Sequence, residues 1–322
     1  MEPLTATTLL HSAASSQLRA ISPPPSPRIR AKGAFSMVSQ GTERKVLTGT
    51  MREETAQHMR VPYMQGDFAG EFSYGYSWVG QVEEGPKEWL GAWVHLLHPH
   101  QTHAWVEEKD LYRIPEGVTP EGATLASNME TAVNALWDGQ VMPGDRVLIV
   151  GMGLIGVLVG LLVREIPGVE VFTTDLADQR QQLAQQLGFR CSAEPEFTAA
   201  FDVAFHTSTT TSGLQAALDA VGMEGKVVEL SWHSQPTNGL VLGEDFHYLR
   251  KQIISSQVST IPPSHQHRWD YRRRKDLVFK LLPRLPLKAL LAHRISFWES
   301  PQFFDQLRQG APTQLTTFIE YS

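Results

Sequence analysis

Hydrophobic positions along the chain change rhythm near residue 115. Before that point apolar residues come in short, alternating or irregular runs. Arg28-Ile29-Arg30-Ala31-Lys32-Gly33 reads as a strand with polar alternation, and the Pro- and Ser-rich stretch 23–27 reads as a surface turn. Residues 64–85 are rich in glycine and aromatics and end in Trp78-Val79-Gly80-Gln81-Val82, a strand closed by Gly85-Pro86. Residues 91–106 predict two further strands separated by the loop His98-Pro99-His100-Gln101-Thr102.

After Ile114-Pro115-Glu116-Gly117 the periods lengthen. Thr119 and Pro120 suit the N-cap and first position of a helix reaching about Gly139. Strands and helices then alternate. Strands are predicted at 146–150, 169–174, 203–206, 226–230 and 253–258, with helices at 154–166, 177–187 and 212–221. Such alternation predicts a doubly wound parallel sheet. The tail from 265 is helical and opens with a basic run, Arg268 to Lys275, read as a solvated face. A late strand at 314–320 implies that the chain returns to its first domain.

Composition narrows the field. At about 150 residues per domain, 322 residues suggest two domains. A hydrophobic share of 42% plus 25 glycines supports sizeable cores and excludes wholesale disorder. The net charge of −6 argues against a nucleic-acid-binding domain. No apolar run is long enough for a membrane span, and residues 1–20 lack the charged region of a secretory signal. The single cysteine, Cys191, excludes an internal disulfide framework and any metal site needing two cysteines of one chain. A cytoplasmic protein is the expectation.

Gly151-Met152-Gly153-Leu154-Ile155-Gly156 falls between a predicted strand and a predicted helix, the context that gives a GxGxxG pattern meaning. Gly151 permits the tight turn, Gly153 close approach of a pyrophosphate, and Gly156 close packing of helix on strand. The helix start at Leu154 and Ile155 offers unpaired N–H groups to phosphates. Asp175 ends the next strand, placed to accept ribose hydroxyls and repel a 2′-phosphate, which favours NAD over NADP. Arg180 is a second candidate there, able to swing toward a phosphate, though a solvent-facing helix residue is the simpler reading.

Five segments carry a family resemblance. They are Ser39-Gln40-Gly41-Thr42-Glu43, Tyr74 to Gly80, Met142-Pro143-Gly144-Asp145-Arg146-Val147, the glycine fingerprint, and Glu224-Gly225-Lys226-Val227-Val228. Together they resemble the medium-chain dehydrogenase/reductase superfamily, nearest its zinc-type alcohol dehydrogenase-like proteins with LHPHQ and NMETAVNALWDG segments. The resemblance implies a GroES-like β-barrel catalytic domain at 1–125, a Rossmann domain at 126–264, a return to the catalytic domain at 265–322, and an active site in the cleft between the domains. It also implies a nicotinamide cofactor, a small-molecule substrate and a homodimer. It places His206, Thr207, Ser231 and Trp232 near the cofactor.

The departures from the family pattern bear on chemistry. Ser39 or Gln40 stands where the family's catalytic zinc takes a cysteine, and Tyr76 where it takes a histidine. Glu130 falls at the third ligand position, and the four-cysteine structural lobe is absent. Hydride transfer between NAD(H) and an alcohol/carbonyl pair without the standard zinc is therefore the expectation, with Tyr76, His98, His100 and Glu130 as proton-transfer candidates. A rebuilt metal site from His98, His100 or His103 with Glu130 stays open, since His-x-His on a strand puts both rings on one face. Two rivals remain: an NADPH-dependent enoyl or quinone reductase, and a nucleotide-binding protein without catalysis.

Overall fold

The computed structural model describes residues 5–25, 29–49, 51–233, 236–310 and 314–321. Arg28, part of the proline-rich stretch and the first residues of the chain lie outside this set. Two compact units emerge: residues up to Ser127 together with Phe279 onward, and Asn128–Val278.

The first unit is built on β-structure. A seven-stranded sheet runs through the long strand Ile29–Val38, which pairs antiparallel with Trp78–Glu84, His103–Val106 and the late strand Thr317–Glu320. The chain does return to this sheet at its end. Alternation of small and large residues lets the sheet close tightly. A Cβ on Gly80 would sit 2.2 Å from the Lys32 carbonyl oxygen, so only glycine fits. Ile29, Ala31, Trp78, Val82, Val94, Leu96, Ala104 and Val106 pack as one core. This is the GroES-like β domain.

Several elements here carry no clear sequence signal. Ala6–His11 and Ser16–Ile21 form a hairpin that pairs with Phe72–Ser73. Helices Gln40–Leu47 and Glu53–His58 follow the long strand. His98 and His100 lie in the loop between strands Trp93–Leu96 and His103–Val106, not on a strand. The sequence reading places them in this loop too, so the one-face geometry that a strand would give a rebuilt metal site does not apply to them. The helix predicted from Thr119 to Gly139 is also broken. Pro120–Ala123 is capped by the Thr119 hydroxyl, which accepts from Gly122 N, and a separate helix runs Ala126–Gly139.

The second unit holds a fully parallel six-stranded sheet. Its order is Arg190–Ser192, Glu170–Thr174, Arg146–Val150, Phe201–His206, Val221–Glu229, Gln252–Ser255. Counted within the unit this is 3-2-1-4-5-6, the Rossmann order. Strand Arg146–Val150 matches the sequence reading residue for residue. Arg190–Ser192 is short and polar, and its edge position explains why no hydrophobic pattern announces it. Strand order reverses between Arg146–Val150 and Phe201–His206, and ligands of such sheets bind outside the carboxyl ends at that point.

Candidate functional site

The glycine turn sits at that reversal. Gly151 has φ +102°, a conformation closed to most side chains, and its N–H donates to the Thr174 carbonyl at 2.8 Å. A Cβ on Gly156 would fall 2.0 Å from the Gly151 carbonyl oxygen, so glycine is what lets the helix Leu154–Val163 pack on the turn. At Gly153, the helix N-cap, a Cβ would meet nothing within 4 Å. Space for a phosphate is thus left over the helix N-terminus, where Leu154 and Ile155 are partly exposed. This cradle fits a dinucleotide.

Asp175 ends the neighbouring strand and ties the turn together. Its carboxylate accepts from Met152 N at 2.7 Å and from Ala177 N at 2.9 Å, and it stays partly exposed. Arg180 lies in the same electrostatic neighbourhood: burial lowers its pKa, while Asp175 pulls it back up. Thr207 donates its hydroxyl to the Gly151 carbonyl at 2.6 Å, locking the turn to the next strand. His206 is fully buried beneath it, with Nδ1 2.7 Å from Glu229 Oε2. Ser231 N donates to Glu229 Oε1 at 2.6 Å, and Trp232 follows, partly exposed, in the same loop. All the predicted cofactor residues therefore gather on one edge of one sheet.

The catalytic candidates separate. His98 is buried between Tyr63 and Trp78, with Nδ1 2.9 Å from the Pro99 carbonyl oxygen. Burial drives its pKa down to about 4, so near neutrality it is an uncharged packing group. His100 lies in a different setting. Its Nε2 is 3.0 Å from Glu43 Oε2 and its Nδ1 2.7 Å from Ser36 Oγ, with both His100 and Glu43 buried. Ser36 Oγ is also 2.9 Å from the Tyr321 hydroxyl, which accepts from Gln101 N. With Nε2–H donating to Glu43 and Nδ1 accepting from the Ser36 hydroxyl, every group in this hydrogen-bonded series has a partner.

Glu43 also accepts from Ser39 N at 2.7 Å, which joins this network to the segment bearing Tyr76. The Tyr76 hydroxyl is hydrogen-bonded by the Ser39 and Thr42 side chains. Burial and the nearby Glu43 carboxylate push its pKa up to about 12, so it holds its proton near neutrality. Ser127 Oγ donates to the Tyr76 carbonyl oxygen. Glu43, Ser36 and Tyr321 were not singled out by sequence reasoning, although Glu43 stands inside a segment that carries the family resemblance. Only the fold brings residues 36, 43, 100 and 321 together.

Glu130 belongs to the second unit, on the helix Ala126–Gly139. Its Oε2 lies 2.5 Å from Lys275 Nζ and its Oε1 3.3 Å from Arg274 Nε, all three side chains buried. The basic run read as a solvated face therefore sends two of its cations inward, which corrects that reading. Among the described residues, the three His, Cys, Asp or Glu side chains whose donor atoms all lie within 4.8 Å of one another are His206, Glu229 and His233. His98, His100, His103 and Glu130 are not among them. Ser39, Gln40 and Tyr76 stand where the resemblance implies zinc ligands, and serine, glutamine and a protonated tyrosine are poor zinc donors, so these residues do not fit that ion.

No family model matches the chain. D-Guloside 3-dehydrogenase of Escherichia coli is 24% identical over 223 residues, spanning 65% of this chain and 64% of that enzyme's length. Among solved structures, 2R,3R-butanediol dehydrogenase of Bacillus subtilis superposes with a TM-score of 0.80 at 15% identity, covering 98% of this chain and all of that one. Acetophenone reductase of Geotrichum candidum, solved with NAD, gives 0.77 at 17% identity over 100% and 98% of the two chains. The relatives and structural neighbours are named as dehydrogenases and reductases, among them a zinc-type alcohol dehydrogenase-like protein of Escherichia coli at 26% identity over 50% of this chain and 49% of that one, and this chain has the fold of the solved ones. Among the described residues no helix is long and apolar enough to cross a membrane.

Proposed function

We propose that the chain is an NAD(H)-dependent oxidoreductase that interconverts an alcohol and a carbonyl compound. The observation that carries this reading is the Gly151–Gly156 turn at the reversal of a Rossmann-ordered sheet, with Asp175 one strand away. A carboxylate at that strand end disfavours a 2′-phosphate, which supports NAD over NADP. Both nucleotides occur in structures of this fold.

NAD would supply the hydride acceptor at its nicotinamide ring. The protein would hold the diphosphate on the backbone N–H groups at the start of the helix and the adenosine ribose on Asp175. His206, Thr207, Ser231 and Trp232 would shape the sheet edge beside it. For the alcohol proton we propose the hydroxyl of Tyr76 and the network His100–Glu43–Ser39 behind it. Tyr76 occupies the position where the family holds a zinc-ligating histidine. A tyrosine kept protonated can donate to a carbonyl oxygen, with the Ser39 and Thr42 side chains hydrogen-bonded to it and Ser39 held in turn by Glu43 and, through Glu43, by His100. His98 and Glu130 have partners that serve packing and charge balance, so we leave them outside the reaction. A small polyol or alcohol as substrate completes the proposal, in line with relatives named D-guloside 3-dehydrogenase and 2R,3R-butanediol dehydrogenase; a homodimer follows from the family resemblance and a cytosolic setting from the single cysteine.

The test is direct. NADH and NADPH are titrated into the purified chain, and oxidation of a panel of polyols and secondary alcohols is followed at the nicotinamide absorbance. Tighter NADH binding with turnover of at least one alcohol is expected. Turnover of enones alone, or binding without turnover, would replace the reading with a reductase or a nucleotide-binding protein.

A further inference from the structure

At the carboxyl ends of strands Phe201–His206 and Val221–Glu229, three donors converge that the redox reading leaves without a task as a set. His206 and Glu229 are register partners on adjacent parallel strands, and His233 follows four residues after Glu229. Glu229 Oε2 lies 2.7 Å from His206 Nδ1 and 3.3 Å from His233 Nε2, and the two rings stack with centroids 5.6 Å apart. Side-chain exposure is 0% for His206, 15% for Glu229 and 17% for His233, so the group is closed below and open on one side.

We infer that His206 Nδ1, Glu229 Oε2 and His233 Nε2 form a binding site for a divalent transition-metal ion of the zinc type. With zinc–ligand bonds of about 2.0–2.1 Å, donors at the corners of a tetrahedron stand roughly 3.3 Å apart. The Glu229–His233 separation already has that value, and the His206–Glu229 contact must open by about half an ångström to reach it. Two nitrogens and one carboxylate oxygen suit zinc and its first-row neighbours, whereas magnesium and calcium prefer all-oxygen sets.

The surroundings are those of held ligands. With Nδ1 given to an ion, His206 Nε2–H donates to Ser208 Oγ, 2.8 Å away, the outer hydrogen bond that fixes a ligating imidazole. Glu229 keeps its second oxygen on Ser231 N, and Ser231 Oγ in turn accepts from Thr209 N. Three protein ligands and an open side leave a fourth position for water or a small ligand. Ser39, Gln40, Tyr76 and Glu130, the residues at the family's zinc positions, play no part in this set. The inference therefore does not rest on the redox reading.

A metal ion and a proton compete for the same imidazole nitrogens, so affinity must fall as the pH drops. The test uses the full chain stripped with a chelator, then titrated with Co2+ by absorption and with Zn2+ by calorimetry. NADH binding is measured on the same preparation. One ion per chain with a tetrahedral Co2+ spectrum is expected, and Glu229→Gln or His233→Ala should weaken Zn2+ binding by at least about 100-fold. His233 lies outside the sheet, so its variant serves if Glu229→Gln fails to fold. Loss of affinity in either folded variant supports the site. A wild-type chain that takes up no ion, or wild-type affinity in both folded variants, overturns it and leaves a plain hydrogen-bonded His–Glu–His cluster. NADH binding decides the oxidoreductase reading separately.

Discussion

His100 Nε2 and Glu43 Oε2 meet at 3.0 Å with both side chains shut off from solvent, 57 residues apart in the chain. A buried carboxylate is tolerated only with its lone pairs occupied, and here His100 and Ser39 N occupy them. Glu43→Gln keeps the shape and removes the charge. It is expected to cost about 1–3 kcal/mol of folding stability by denaturant titration. If the proton route above is right, it should also lower kcat while leaving NADH affinity unchanged. Equal kcat in the variant would remove the pair from that route.

Two glycines of the nucleotide turn should answer differently to the same change. Gly156→Ala puts a Cβ 2.0 Å from the Gly151 carbonyl oxygen and should destabilise the unliganded protein by about 1–3 kcal/mol or more. At Gly153 the same methyl meets open space, so Gly153→Ala should melt like the wild type yet bind NADH more weakly. Thermal melts beside NADH titrations separate the two. Wild-type NADH affinity in a folded Gly153→Ala chain would contradict a diphosphate at the helix start.

Asp175→Ala removes a carboxylate that would accept ribose hydroxyls. NADH affinity should fall by roughly tenfold or more, as one charged hydrogen bond is worth, while NADPH affinity stays level or rises. A fluorescence titration of both nucleotides reads this out. Parallel loss of both would mean that Asp175 acts only by holding Met152 N and the turn.

Stability should rise with pH across the range governed by His98. Its folded-state pKa is pushed down to about 4 by burial, below the ordinary histidine value. The unfolded chain therefore takes up a proton that the folded one refuses. The stability present above about pH 6.5 is lost progressively as the pH falls toward 4, in total about 3 kcal/mol. His11 is shifted in the same direction by burial and by its neighbours His100 and Arg308. Urea unfolding at pH 7.5, 6 and 5 measures the slope, and His98→Gln should flatten it.

Glu130 faces two cations in a buried cluster, and burial lowers the pKa of Lys275. Removing one partner of such a pair leaves an uncompensated charge, so Glu130→Ala should cost about 3–5 kcal/mol. The double variant Glu130→Ala, Lys275→Met should recover part of that loss. A double variant no more stable than the single one would show that the pair is not coupled.

Local pattern alone determined the centre of the second unit. Strands Arg146–Val150 and Phe201–His206 are largely buried and the helix Leu154–Val163 is apolar on nearly every side, so their hydrophobic runs name them, and the glycine turn announces itself because backbone conformation is a local property. Short or polar elements such as Arg190–Ser192 and the hairpin Ala6–Ile21 carry no such period and were invisible. Charge pairing was equally illegible: Arg274 and Lys275 look like solvent-facing residues until Glu130 is brought beneath them. The same holds for His100 with Glu43, Ser36 and Tyr321, and for His206 with Glu229 and His233. Which polar side chains are buried, and with what partner, depends on contacts between residues tens to hundreds of positions apart, and only the tertiary structure decides those.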